Sequence, residues 1–69
     1  MRNDIFLKQI GKKIKSFRES KNLSVRKLGR MCGLDYSNIS RIENGQKDSH
    51  ILTLKNIAEK LEVDVKDFI

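Results

Sequence analysis

Four polar side chains, Ser37, Ser40, Arg41 and Asn44, recur at the spacing i, i+3, i+4 and i+7 in this 69-residue chain. At about 100° per residue that spacing places them on one stripe of a helix. Ile39 and Ile42 fall nearly opposite, and Tyr36 lies on a shoulder between the two edges. The chemistry open to such a stripe is hydrogen bonding at close range. Ser and Asn donate and accept, and an Arg guanidinium pairs bidentately with a guanine edge. Tyr36, at the N-terminal end, can meet a thymine methyl or a phosphate. The stripe also fits an ordinary amphipathic surface helix. Such helices usually carry Glu and Lys, which favour helix more than Ser and Asn do. An outward face this poor in helix formers reads as a face chosen for contact.

Nothing else in the chain offers catalysis. His50 is the only His and Cys32 the only Cys, so neither a metal-ligand cluster nor a Ser/His/Asp or Cys/His arrangement can be assembled. The chain is therefore expected not to be an enzyme and to need no metal or cofactor. Cys32 falls on the inward side of its helix and reads as a small core residue rather than a reactive thiol. A lone Cys forms no internal disulfide, which fits a reducing compartment. Phe6, Phe17 and Phe68 are spaced as core residues, not as a base-stacking platform. Asp64 with Asp67 reads as a local capping arrangement rather than a metal site.

Charge adds a second line. The net charge is +6, unevenly placed. Residues 1–30 hold ten Lys/Arg against two acids, whereas residues 31–69 hold five against seven. A basic half joined to a mildly acidic half suggests an anionic partner on one side, and equally fits a basic surface kept for solubility. No apolar run approaches the roughly 18 residues of a membrane span. Lys8, Lys12, Lys13 and Lys15 interrupt any secretory signal segment. No membrane association is expected, and the location expected is cytoplasmic.

The elements that must position the stripe follow from periodicity and punctuation. Leu7, Ile10, Ile14 and Phe17 line one face of a helix from about Asp4, its N-cap, to Ser20. Asn22, taking a left-handed conformation, ends it. Ser24 caps a short helix from Val25 to Cys32, with Val25, Leu28 and Cys32 inward and Gly33 as its stop. Asp35 caps the helix that carries the stripe, Tyr36 to Asn44, and Gly45 stops it. After a loop, Leu54, Ile57, Ala58 and Leu61 mark a helix from about His50 to Leu61. A last turn begins at Asp64, with Val65, Phe68 and Ile69 apolar. The expectation is an all-α chain, a single domain over residues 1–69 with five helices around one core.

The run from Ser24 to Gly45, SVRKLGRMCGLDYSNISRIENG, resembles the helix-turn-helix of the phage repressor and Cro-like (XRE) family. The residues that carry the resemblance are Ser24, Leu28, Gly33, Leu34, Ile39, Ser40, Ile42, Glu43 and Gly45. The flanks IGKKIKSFRESKNLS and LTLKNIAEKLEVDVKDFI resemble the family's first, fourth and fifth helices, so the likeness covers about residues 9 to 69. It implies a repressor-like bundle, with helices two and three as the helix-turn-helix and helix three as the reading element.

Carried over residue by residue, the resemblance implies base-edge contacts from Tyr36, Ser37, Ser40 and Arg41, with Asn38 flanking. It implies phosphate contacts around Ser24 and from Asn44 and Lys47, and an internal ion pair between Arg18 and Glu43. Gly29 stands where the family usually has Ala, at a close approach of helices two and three. Two positions depart. Val25 replaces the Gln expected after Ser24, which removes a phosphate bond; neighbouring Arg26 either supplies that charge instead or is simply a solvated side chain. Ser49 replaces the Pro common before helix four.

The function implied is sequence-specific binding of a double-stranded DNA operator by a transcriptional regulator, a repressor by the resemblance. A homodimer is implied, and Leu61, Val63, Val65, Phe68 and Ile69 either offer the apolar area for its interface or finish the monomer core. The competing reading is a helical adaptor for a protein partner, such as an antitoxin whose main ligand is a toxin.

Overall fold

The computed structural model describes residues 2–69, with side-chain surroundings from Asp4 onward. Among these residues it forms four α-helices and one 3-10 turn, without strands. The helices are α1 (Arg2–Ser20), α2 (Val25–Cys32), α3 (Tyr36–Glu43) and α4 (Ile51–Leu61), and the turn is Val65–Asp67.

The expected fifth helix is thus a single 3-10 turn. Asp67 accepts from the backbone N–H of its own Asp64 at 3.0 Å, which closes the turn on itself. Phe68, 1% exposed, then drops into the core at once, leaving no length for a second turn. A second correction concerns α1, which begins at Arg2, so Asp4 lies within the first turn rather than at the cap. Its charge still faces the positive end of the helix dipole.

All four helices end alike. Beyond each last turn one residue turns left-handed: Asn22 (φ 59°), Gly33 (φ 70°), Gly45 (φ 71°) and Glu62 (φ 62°). The next N–H then reaches back five residues into the helix. Leu23 donates to the Arg18 carbonyl at 3.2 Å, Leu34 to Gly29 at 2.8 Å, Gln46 to Arg41 at 2.8 Å, and Val63 to Ala58 at 2.9 Å. These bonds occupy carbonyls that a helix end otherwise leaves free. They also turn the chain sharply, so that Leu23, Leu34 and Val63 fall back against the core.

The core is built from all four helices and Phe68. Ile10 and Ile14 come from α1, Leu28 and Cys32 from α2, and Ile39 and Ile42 from α3. α4 supplies Leu54, Ile57, Ala58 and Leu61, and Phe68 closes the bottom, its ring 6.0 Å from that of Phe17. Leu61 and Phe68 are thereby committed to the monomer, and Val63 and Val65 pack partly against them. Of the apolar residues expected to form a dimer surface, only Ile69 is exposed. Phe6, expected in the core, is 47% exposed, and Ile69 is 57% exposed. They sit at the rim of a groove floored by Ile10, Ile42 and Leu54.

Burial raises the pKa of the Cys32 thiol above its ordinary range, against a smaller opposing pull from Lys60. At neutral pH the thiol is neutral in both the folded and the unfolded chain, and burial is unopposed. As pH rises past the ordinary thiol value the unfolded chain ionises first, so this part of the stability fades in alkali. Alkylation of native Cys32 is expected to be at least about tenfold slower than in the denatured chain, because the thiolate is the nucleophile. Equal rates, followed by mass spectrometry, would place the thiol at the surface.

Among the described residues no helix is long and apolar enough to cross a membrane. Nor does any group of three or more His, Cys, Asp or Glu gather as a metal site requires.

Candidate nucleic-acid interface

α3 is held by its inner edge and offers its outer one. Ile39 is fully buried and Ile42 nearly so, while Tyr36, Ser37, Arg41 and Asn44 are exposed and Asn38 and Ser40 half-buried. The helix closes at Glu43, with Asn44 as its cap residue rather than its last member. Asp35 takes the N-cap position, but its carboxylate makes no capping bond. The Asn38 N–H that such a side chain would take goes to the Asp35 backbone carbonyl at 3.0 Å.

Glu43 supplies the firmest anchor. Its carboxylate accepts from Arg18 Nε at 2.7 Å and from Arg18 Nη2 at 3.1 Å. Arg18 Nη1 donates to the Leu23 carbonyl at 2.6 Å. The two side chains are only 10% and 4% exposed. The hydrogen bond to Glu43 raises the Arg18 pKa, and burial works in the other direction. A two-pronged Arg–carboxylate pair has a fixed geometry as well as charge. Here it ties α1 and the α1–α2 turn to the last residue of α3.

The residues expected on phosphates flank this helix on two sides. At the start of α2, Ser24 Oγ accepts from the Lys27 N–H at 3.0 Å, a regular N-cap that leaves its O–H free to donate outward. Arg26, also exposed, lies with its guanidinium carbon 4.2 Å from the centre of the Tyr36 ring. On the far side, Lys47 Nζ donates to Asn38 Oδ1 at 3.1 Å. The structure therefore brings Arg26 to Tyr36 and Lys47 to Asn38, one cation against each of two residues of α3, and leaves Arg41 exposed on the same helix. Neither pairing was legible beforehand. The only clue to the first is Gly29, which lets α3 come close one turn along from Arg26.

The arrangement is a short helix pinned by Ile39, Ile42 and Glu43, presenting hydroxyls, amides and one guanidinium, with a further cation against each of two of its residues. Helix pairs of this kind are met across a family. The helix-turn-helix family HTH_3 matches residues 14–68. The chain belongs to that family.

Solved structures agree. The restriction-modification controller protein C.AhdI from Aeromonas hydrophila is 25% identical, with a TM-score of 0.88 over 91% of this chain and 96% of that one. An HTH_3 family transcriptional regulator from Vibrio cholerae is 30% identical at a TM-score of 0.88, covering 96% of this chain but 37% of that one. The master regulator for biofilm formation SinR, solved in complex with DNA, is 33% identical at a TM-score of 0.79, covering 86% and 95%. The chain matches no curated protein sequence.

Proposed function

We propose that the protein is a DNA-binding transcription regulator that acts as a repressor, laying α3 in the major groove of an operator. The observation that carries this reading is the division of α3 into a buried anchoring edge and an exposed short-chained one. Tyr36, Ser37, Ser40 and Arg41 meet base edges, with Asn38 beside them. Ser24, Arg26, Asn44 and Lys47 meet the sugar-phosphate backbone. The N-terminal N–H groups of α2 add a dipole that favours phosphate. SinR, a relative over most of its length, is solved on DNA, and that supports the same partner here.

A single helix covers few base pairs. A homodimer with half-sites about 34 Å apart is the geometry that lengthens the site. The exposed apolar residues left for such an interface are Ile5, Phe6, Ile51, Leu52 and Ile69. A cytoplasmic location fits this role.

Selection of bound sequences from random duplex DNA tests the reading. Enrichment of a two-fold symmetric site, with affinity falling steeply in salt, is the expected result. Arg41→Ala is expected to weaken binding to that site by about 10- to 100-fold and to relax preference at one base pair in each half. Sequence-blind binding with no enriched site would instead favour the protein-partner reading.

A further inference from the structure

We propose that Arg26 is a positioning residue for base reading: its guanidinium lies on one face of the Tyr36 ring and fixes that ring at the entrance to the reading edge. The proposal rests on the DNA-binding reading above. The stack itself is an observed contact, with the guanidinium carbon 4.2 Å from the ring centre.

The backbone makes the stack possible. Gly29, one turn along α2 from Arg26, is buried against the start of α3. A Cβ added there would lie 2.8 Å from the Leu34 carbonyl oxygen and 3.3 Å from both the N and the Cα of Tyr36. That close approach sets the first residue of α3 beside the face of α2 that Arg26 occupies. Tyr36 stays 44% exposed despite the contact.

A planar cation over a ring has two consequences. It removes rotational freedom from a side chain that would otherwise have to be ordered on binding. It also spares the guanidinium's in-plane N–H groups, which extend past the ring and remain available to a phosphate. One residue then joins a backbone contact to a base contact. Lys carries the same charge on a stem without a plane, so it keeps the phosphate contact and loses the hold on the ring.

Tyr36 is the only Tyr and there is no Trp. Ultraviolet emission and the aromatic ring protons of Tyr36 therefore report on this stack directly, apart from DNA. The experiment uses the full chain and the operator selected above. In the free protein, the Arg26 side-chain protons are expected to show an upfield ring-current shift that Tyr36→Leu abolishes. Quenching of Tyr36 emission by acrylamide is expected to rise in Arg26→Lys and Arg26→Ala.

On DNA, Arg26→Lys is expected to lose about 2- to 5-fold in discrimination at the base pair that Tyr36 reads, the size of an exposed cation–π contact. Its salt dependence should be kept. Arg26→Ala in a Tyr36→Ala background should cost no further discrimination at that base pair. An unshifted Arg26 signal, or an Arg26→Lys variant with full discrimination, overturns the proposal and leaves Arg26 as a phosphate contact only. Wild-type protein without any sequence preference would remove the DNA reading and the positioning role with it. A ring-current shift persisting in that case would assign that failure to the DNA reading rather than to the geometry.

Discussion

Glu43→Ala is expected to cost about 3–5 kcal/mol, because it leaves the buried Arg18 guanidinium with only the exposed Glu19, 4.0 Å away, as counter-charge. A 69-residue domain has only roughly 3–10 kcal/mol to lose. The variant should therefore melt at least about 15 °C lower and be largely unfolded at 37 °C. Circular dichroism on heating measures this directly. Both partners are almost fully covered, so the loss should barely depend on salt.

The control is the double replacement Arg18→Met with Glu43→Leu. Apolar residues of similar volume in place of a buried pair are often neutral or better. Most of the lost stability should return, while the Leu23 carbonyl, bonded to Arg18 at 2.6 Å in the native protein, loses its side-chain donor. A single Glu43→Ala variant that melts within a few degrees of the native protein would show that the pair is solvated and weak. If the double variant folds yet binds DNA poorly, the pair's service is to hold α3 at a fixed pitch.

Gly11→Ala should also be costly, for a different reason. Gly11 is where α1 crosses the end of α3. A methyl group there would overlap the Ile42 and Glu43 carbonyl oxygens and stand 2.7 Å from the Glu43 carbonyl carbon. These are backbone atoms, so no rotamer change relieves the clash, and α1 must move away from the core. Overpacking of this kind costs about 3 kcal/mol. Ala regains about 1 kcal/mol in helix propensity over Gly. The net loss is about 2 kcal/mol, or roughly 8–16 °C in melting temperature for a domain of this size. In an isolated helical peptide covering α1 the same substitution should increase helicity. Opposite signs in peptide and protein would locate the effect in packing. A protein made more stable by Gly11→Ala would mean that the two helices stand further apart.

The two substitutions act on one joint, and the sequence disclosed its halves unequally. The spacing of Ile39 and Ile42 against Ser37, Ser40 and Arg41 fixes which edge of α3 faces inward, since periodicity reports burial directly. The ends of α2 and α3 were equally legible, because Gly33 and Gly45 advertise left-handed turns. Glu62 adopts the same left-handed conformation with nothing in its chemistry to announce it. There the fall-back of Val63 onto the core and its bond to Ala58 override the side chain's preference.

Gly11 was invisible for a related reason. A Gly inside a helical pattern shows only that its Cβ is absent, not which distant carbonyl fills the space. The surface apolar residues misled in both directions. Phe6 and Ile69 have core-like types yet lie on a groove rim. Leu61, Val63 and Val65 look like interface area yet pack within the monomer core or against it. Periodicity assigns a residue to a face of its own element, and only packing decides what lies against that face. The stack of Arg26 on Tyr36 belongs with these, as a contact between two elements whose separation the sequence leaves open.

The separation of anchor from reading edge along α3 has an evolutionary consequence. Ile39, Ile42 and Glu43 hold the helix, while Ser37, Arg41 and Asn44 project from the opposite side and are exposed. Surface positions of that sort tolerate replacement within about 0.5 kcal/mol. The outer edge therefore behaves as an interchangeable cassette. If these side chains read DNA as proposed, target preference can drift, or be grafted from a relative, by exchanging them, and the scaffold should register almost no change in stability as it happens.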